Sequence, residues 1–298
     1  MKLYKITITP SSNFATTLKG DTLFGQLCWA VFYTLGQEKL SKLLEDYSTK
    51  PFLVVSDAFP QGYLPKPKIP NRFLKEDPNT KKENRKKLWM SIDELKEGKY
   101  SNAKTDKEAK NRDKKEAIIH NALNYQTFHT GEEHFAPYGV EEFSLSVRDI
   151  YFLIDEREEF NLEVLKEVFT LVSNMGYGKD SSIGKGRFDI EVWNEIHIDN
   201  NAKTFMSLSP FSPEGLNYQR LYYEPFTRFG KFGGSRAYKN AFKKPLLLAD
   251  TASVIAFQTA PTEPYIGKAL NKLTDILEYE DTVHQGYSIV IPIKDLDE

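Results

Sequence analysis

One cysteine, Cys28, stands in the whole chain. No intrachain disulfide can form, and a zinc site built on thiolates is excluded. Cys28 falls on an apolar helical stripe, which predicts a buried, unreactive thiol. No apolar run approaches the roughly 18 residues of a membrane-spanning helix. The Met1-Lys2-Leu3 start has no signal-peptide character, so the protein is expected to be cytoplasmic with no membrane partner. An excess of one charge is also missing. The 40 Lys and Arg against 42 Asp and Glu leave a formal net charge of −2, which argues against nucleic acid coating every face but permits a local basic track. Gly-x-Ser-x-Gly does not occur, and neither does the Gly-Lys-Ser/Thr ending of a P-loop. What remains is a 298-residue chain with 40% hydrophobic and 28% charged residues, enough for two medium domains or one large one.

Against these absences stands Gly176-Tyr177-Gly178-Lys179-Asp180-Ser181-Ser182-Ile183-Gly184-Lys185-Gly186-Arg187-Phe188. Gly176, Gly178, Gly184 and Gly186 allow positive φ and remove side chains that would hold a ligand away from the backbone. The N–H groups are expected to be bare, with Lys179, Lys185, Arg187, Ser181 and Ser182 around them, a donor set suited to phosphate oxygens. The competing reading is a glycine-rich connection with solvated lysines. Leu162, Leu165, Val168, Phe169 and Val172 predict a helix from about 162 to 173 before the loop. Phe188, Ile190 and Val192 predict a strand after it. Helix-to-strand order excludes both familiar nucleotide loops, which run from strand into helix.

In chain order, Leu3 to Ile8 alternates as a first strand. Asp21 or Thr22 is a natural N-cap for a helix with Leu23, Leu27, Ala30 and Val31 on one face. Gly25 in that helix suggests close packing against another backbone. Lys19 precedes the helix and is placed to hold a second phosphate, the alternative being a solvated lysine. Pro51 to Pro60 reads as a second strand and Asp149 to Ile154 as a third. The resulting order, strand-helix-strand twice, is that of a split βαβ, ferredoxin-like (RRM-like) domain over 1–195, with a large insertion from about 61 to 147 between its second and third strands.

Within the insertion, Glu94 to Glu116 alternates charges with almost no apolar residues and is expected to be mobile or ordered only on a partner. His120, His129, His134, Glu132 and Glu133 invite a metal reading. Gly131 makes a helix there unfavourable, so a β-hairpin with Gly131 in its turn is the better expectation, presenting Tyr125, Phe128 and His129 to bases. From Thr204 onward, strands are expected at 204–209, 221–229, 245–248, 251–257 and 287–292, with a weaker helix signal at 266–277. These form a second, degenerate ferredoxin-like domain over 196–298, giving an α+β fold. Arg228, Lys231, Arg236 and Lys239 lie in or beside a flexible basic loop with aromatics interleaved, as single-strand binders have. Tyr177, Phe232 and Tyr238 are stacking candidates, with core positions as the alternative.

Gly20-Asp21-Thr22-Leu23-Phe24-Gly25 and Ser56-Asp57-Ala58-Phe59-Pro60-Gln61-Gly62-Tyr63-Leu64-Pro65-Lys66-Pro67 resemble the start of the subunit that caps the guide-RNA repeat end in type III-A CRISPR (Csm) effector complexes. That subunit belongs to the RAMP superfamily, whose glycine-rich loop precedes the last strand of a ferredoxin-like domain, and 176–188 is similar to it. Thr227-Arg228-Phe229-Gly230 and Lys243-Lys244-Pro245-Leu246-Leu247-Leu248 resemble the second domain. The pattern departs at Asn121 to Thr127, where Tyr125 and Gln126 stand in place of a basic residue. The resemblance implies a subunit holding the 5′ handle of the crRNA, contacting the large polymerase-like subunit and starting the filament of RAMP backbone subunits. It further implies a thumb near the target RNA, no cofactor, and target cleavage by the neighbouring filament subunit. Five histidines occur, none in a motif committed to catalysis. A non-catalytic binding module is therefore favoured over a metal-independent ribonuclease processing guide-RNA precursors.

Overall fold

The computed structural model describes residues 1–131, 135–198, 202–238 and 242–296. Strand β1 (Lys2–Pro10) buries Ile6 and Ile8 completely. Helix α1 (Gly20–Leu35) buries Leu23, Phe24, Leu27, Ala30 and Val31 at helical spacing. Its start differs from expectation. Helical residues begin at Gly20, Lys19 is the N-cap without a side-chain bond, and Asp21 lies buried inside the first turn. The Gly20 N–H is satisfied instead by the Asp57 carboxylate at 2.8 Å. Gly20 is also the close-approach glycine, since a Cβ there would lie 2.3 Å from the Val55 carbonyl oxygen, whereas one at Gly25 would meet nothing within 4 Å. Helix α2 (Gln37–Glu45) leads into β2 (Leu53–Val55) and β3 (Phe59–Pro60).

The insertion is ordered by local chemistry that its average composition conceals. Strand β4 (Leu64–Pro65), helices α3 (Asn71–Leu74) and α4 (Lys81–Asn84), strand β5 (Lys87–Met90), helix α5 (Ile92–Glu97) and strand β6 (Lys104–Thr105) form a small unit with sheet order β4-β5-β6. Helix α5 starts at a complete Ser91/Glu94 capping box and stops at Gly98 with φ 72°. Leu95, Tyr100 and Ala103 from the charge-rich stretch are buried in the main core. The expected mobility is corrected accordingly, because a cap and three well-spaced apolar residues suffice to dock this stretch. Strands β7 (Lys114–His120) and β8 (Tyr138–Ser144) then pair as a hairpin. Gly131 lies in their connection, which is much longer than a tight turn, and Glu132, Glu133 and His134 fall outside the described residues.

Strand β9 (Arg148–Ile154) is buried along its whole length. Helix α6 (Leu162–Met175) is capped by Asn161, whose side chain accepts from the Val164 N–H, and ends at Gly176 with φ 89°. Strand β10 (Phe188–Ile196) follows. The first sheet has the order β10-β1-β9-β2, with β3 also pairing β9, and its recorded pairings are antiparallel. Of the four strands around α1 and α6, the spatial order is thus fourth, first, third, second.

The remaining strands are β11 (Thr204–Ser207), β12 (Arg220–Tyr222), β13 (Pro225–Arg228), β14 (Leu246–Ala249), β15 (Val254–Ala256), β16 (Tyr265–Gly267) and β17 (Tyr287–Pro292). Five form a second sheet of order β12-β15-β11-β17-β16, and β13 pairs β14. Alternation places Met206, Val254, Ile289 and Ile291 in the core shared with the first half, and Phe205, Ile255 and Val290 in a smaller cluster on the opposite face. The helix expected at 266–277 is absent. Gly267 at φ 93° and Lys272 at φ 58° interrupt any helical path, and 277–279 forms only a 3-10 turn. Among the described residues 196–298 carries no α-helix. None of the described helices is long and apolar enough to cross a membrane.

Candidate nucleic-acid interface

The glycine-rich loop joins α6 to β10 and closes on itself. Tyr177 N–H donates to the Gly186 carbonyl (2.8 Å), Lys185 N–H to Asp180 (3.2 Å), and Gly186 N–H to Asn13 (2.8 Å). Lys179 and Arg187 N–H groups donate to the hydroxyls of Thr16 (3.0 Å) and Ser12 (2.8 Å). The expectation of a bare backbone is therefore corrected for most of the loop. Gly176, Ile183 and Gly184 N–H donate to the carbonyls of Val172, Asp180 and Ser181, so the N–H groups outside the recorded bonds are those of Gly178, Asp180, Ser181 and Ser182. A Cβ at Gly176 would lie 2.2 Å from the Lys185 carbonyl oxygen, one at Gly186 would lie 2.1 Å from that of Tyr177, and one at Gly178 would strike Thr16. These three glycines admit neighbouring chain. Gly184 faces open space and is required by its φ of 94°.

The loop's cations fare differently from one another. Lys179, Ser182 and Arg187 are exposed, and Lys179 Nζ has only Asp180 at 3.7 Å. Lys185 Nζ instead donates at 2.6 Å to Glu142 of β8, which is buried and also receives the Asn13 amide at 3.1 Å. The hydrogen bond from Lys185 holds the Glu142 carboxyl below the usual carboxylate range against the opposing effect of burial. Tyr177 is fully buried, its hydroxyl donating to the Thr17 carbonyl (2.9 Å) and accepting from the Lys19 N–H (3.2 Å). It clamps the loop to the start of α1 and is unavailable for stacking.

The Lys19 ammonium is taken up by carboxylates of other segments. Its Nζ lies 2.9 Å from Asp57 and 3.1 Å from Asp250, with the Thr251 hydroxyl at 3.1 Å. Burial alone would lower the Lys19 pKa, but the two carboxylates outweigh it and hold the ammonium charged above the usual lysine range. Asp57 is itself pushed up by burial. Lys68 extends the chain of charges to Asp250 (2.7 Å) and Glu224 (2.9 Å). Arg228 grips buried Asp21 in a bidentate pair at 2.6 and 2.7 Å, with His284 Nε2 3.3 Å from the same carboxylate. Arg236 pairs with Asp281 and donates to Thr282, each at 2.7 Å. The geometry thus gives Lys19, Arg228 and Arg236 protein partners in place of the phosphates expected from sequence, because each meets a carboxylate that is far away along the chain.

Lys231 is exposed, its Nζ 4.8 Å from the Phe242 ring centroid, and Lys239 lies outside the described residues. Phe232 is buried while Tyr238 is 91% exposed. Tyr125 (81% exposed), Phe128 (75%) and exposed His129 sit together in the connection of the β7–β8 hairpin. The base of that hairpin is tied to the N-terminal segment by reciprocal Phe14 and Phe143 backbone bonds of 2.8 and 2.7 Å. The pairing roles of Glu142, Asp21, Asp57 and Gln285 escaped the sequence reading. Gln285 is fully buried, and its amide both donates to and accepts from the Val55 backbone at 2.8 Å. Asp21 and the Ser-Asp pair of 56–57 carried a sequence signal through the two N-terminal motifs that contain them.

No family model matches the chain, and no curated protein matches it. Solved structures do. A chain of the Csm1-Csm4 cassette in complex with cA4 aligns over 100% of both chains with a TM-score of 0.64 at 17% identity. The cassette in complex with pppApA gives 0.63 at 18%, again over 100% of both chains. The Csm3-Csm4 subcomplex of the type III-A CRISPR-Cas interference complex gives 0.62 at 17%, over 99% of this chain and 100% of that one. The last of these comes from a type III-A CRISPR-Cas interference complex. The protein common to them is Csm4, and the chain has its fold.

Proposed function

We propose that this chain is the Csm4-type RAMP subunit of a type III-A CRISPR interference complex, a non-catalytic scaffold anchoring the 5′ repeat-derived handle of the crRNA. The observation that carries the reading is the fold agreement over the whole of both chains in the cassette comparison. The first-sheet strand order around α1 and α6 supports a ferredoxin-like division over 1–195, with 196–298 as a second division. That second division keeps the sheet without α-helices among the described residues, so we confine the ferredoxin-like description to the first.

Lys179, Ser182 and Arg187, with the loop N–H groups outside its own bonds, form the donor set for handle phosphates. Tyr125, Phe128 and His129 at the end of the hairpin are the side chains a target RNA meets. Neighbours solved with Csm1 and with Csm3 support a bridge between a large polymerase-like subunit and the backbone filament. Binding without catalysis accords with the scattering of the four described histidines. His120 stacks on Tyr138 in the hairpin, His129 lies in its connection, His197 follows β10 and His284 is buried on Asp21.

Purification of the tagged chain from cells carrying its native neighbours, with sequencing of the RNA that accompanies it, tests this. Short RNAs sharing one repeat-derived 5′ end, together with a large polymerase-like protein, are the expected result. Heterogeneous RNA, or none, overturns it.

A further inference from the structure

Next to the segment that supports the glycine-rich loop, a cavity of about 540 Å³ opens beside Thr17, Leu18 and Lys19. The loop is close by, since Tyr177 donates to the Thr17 carbonyl. Phe59, Pro65, Leu88, Trp89 and Leu145 give the cavity a largely apolar lining. Its cations are of two kinds. Lys19, Lys66 and Lys68 are held by Asp57, Glu76 and Asp250. Arg85 has no carboxylate partner among the described residues, and Lys87 reaches only the Ser101 carbonyl at 3.4 Å.

Arg148 also lines the cavity and is only 4% exposed. One terminal nitrogen is engaged by Asp113 and Asn111, but its buried Nε–H has no hydrogen-bond partner. A buried guanidinium donor left unpaired calls for an acceptor from outside the chain. The ligand class must therefore combine a flat apolar body, an acceptor edge and an anion.

We propose that this cavity holds one splayed-out nucleotide of the bound single-stranded RNA. The base lies against Trp89 with an acceptor toward Arg148 Nε, and the flanking phosphate lies at Arg85 and Lys87. The proposal rests on the RNA-binding reading given above. A free mononucleotide has the same chemistry, so the test separates the two sources.

The full-length protein is titrated with a short single-stranded RNA carrying one 2-aminopurine, moved one position at a time. One position is expected to change its fluorescence on binding and its neighbours much less. Trp89→Ala should abolish that positional signal and weaken binding about tenfold through lost stacking. The rim variant Arg85→Ala/Lys87→Ala leaves the core untouched and should flatten the log-log salt slope by ~0.7, the one flanking single-strand phosphate no longer neutralised. Lys179→Ala/Arg187→Ala should weaken binding without changing which position responds. A uniform response at every position overturns the cavity assignment while leaving RNA binding intact. Failure of the wild-type protein to bind any RNA overturns both. Equal affinity for free AMP, with displacement of the 2-aminopurine signal, replaces the strand by a mononucleotide and overturns the proposed occupant.

Discussion

At the scale of single residues, the glycines of the loop separate two causes that look alike in a sequence. Gly186 sits at φ 73° with the Tyr177 carbonyl oxygen 2.1 Å from where a Cβ would stand, while Gly184 sits at φ 94° with nothing nearby. Gly184→Ala should therefore cost only the left-handed conformation, about 1 kcal/mol. Gly186→Ala adds a backbone clash and should cost about 3 kcal/mol. Equal urea midpoints for the two variants would contradict this assignment. Burial of Asp21 supports a second prediction. Burial alone would raise its pKa, but the neighbouring His284 and the paired Arg228 guanidinium hold the carboxyl well below the usual range. Arg228→Ala takes the guanidinium from that buried carboxylate, leaving only His284 beside it, and should destabilise the fold by about 3 kcal/mol at neutral pH. The wild-type pair contributes above the ordinary carboxylate pKa and is lost as the pH falls toward the depressed one. The variant's carboxylate, without its guanidinium, is relieved by protonation, so the gap should narrow on acidification, as urea unfolding at neutral and acid pH can measure. The cations of the site were legible as residue types. Their partners were not, since Lys19 meets Asp250 and Lys185 meets Glu142 only after folding.

Elements were more legible than partners where periodicity was long and uninterrupted. The start of α6 at Leu162, the first residue of β10 and the span of β17 all follow from the alternation or helical spacing of their residues. The α5 region was missed because averaged charge hides a capping box, and 266–277 was overread because apolar spacing says nothing of Gly267 and Lys272 adopting positive φ. Contact between the hairpin and the glycine-rich loop lies beyond any periodicity. Glu142 on β8 accepts Lys185 Nζ at 2.6 Å, so a phosphate competing for Lys185 must leave a buried carboxylate without its cation. Glu142→Gln removes that competition. RNA binding by this variant is expected to strengthen and its log-log salt slope to steepen by ~0.7, one added phosphate contact. A slope identical to wild type in a folded variant would mean that Lys185 serves only to hold the hairpin.

At the scale of the whole molecule, the first sheet ends with β10 at Ile196 and the second begins with β11 at Thr204, without a break in the core between them. Met206, Val254, Ile289 and Ile291 of the second sheet belong to the same buried cluster as Ile6, Val54 and Phe152 of the first half. Polar contacts cross the same boundary: Gln285 completes the Val55 backbone, Asp57 N–H donates to the Leu208 carbonyl at 2.8 Å, and Asp250 shares Lys19 with Asp57. Removing 196–298 would expose that apolar face, leave Val55 without its amide partner and strip Lys19 of one carboxylate. An independent domain has few contacts across its boundary, so with the main core shared the two parts are expected to fold together. The intact chain is expected to unfold in urea as one transition, with tryptophan fluorescence and far-ultraviolet circular dichroism coincident. A fragment of residues 1–195 should lack that cooperative transition and the dispersed amide spectrum of a native fold. Two resolved transitions in the intact chain, or a cooperatively folded fragment, would show that the shared core is dispensable. The two sheets would then have to be treated as separate domains joined by a removable interface.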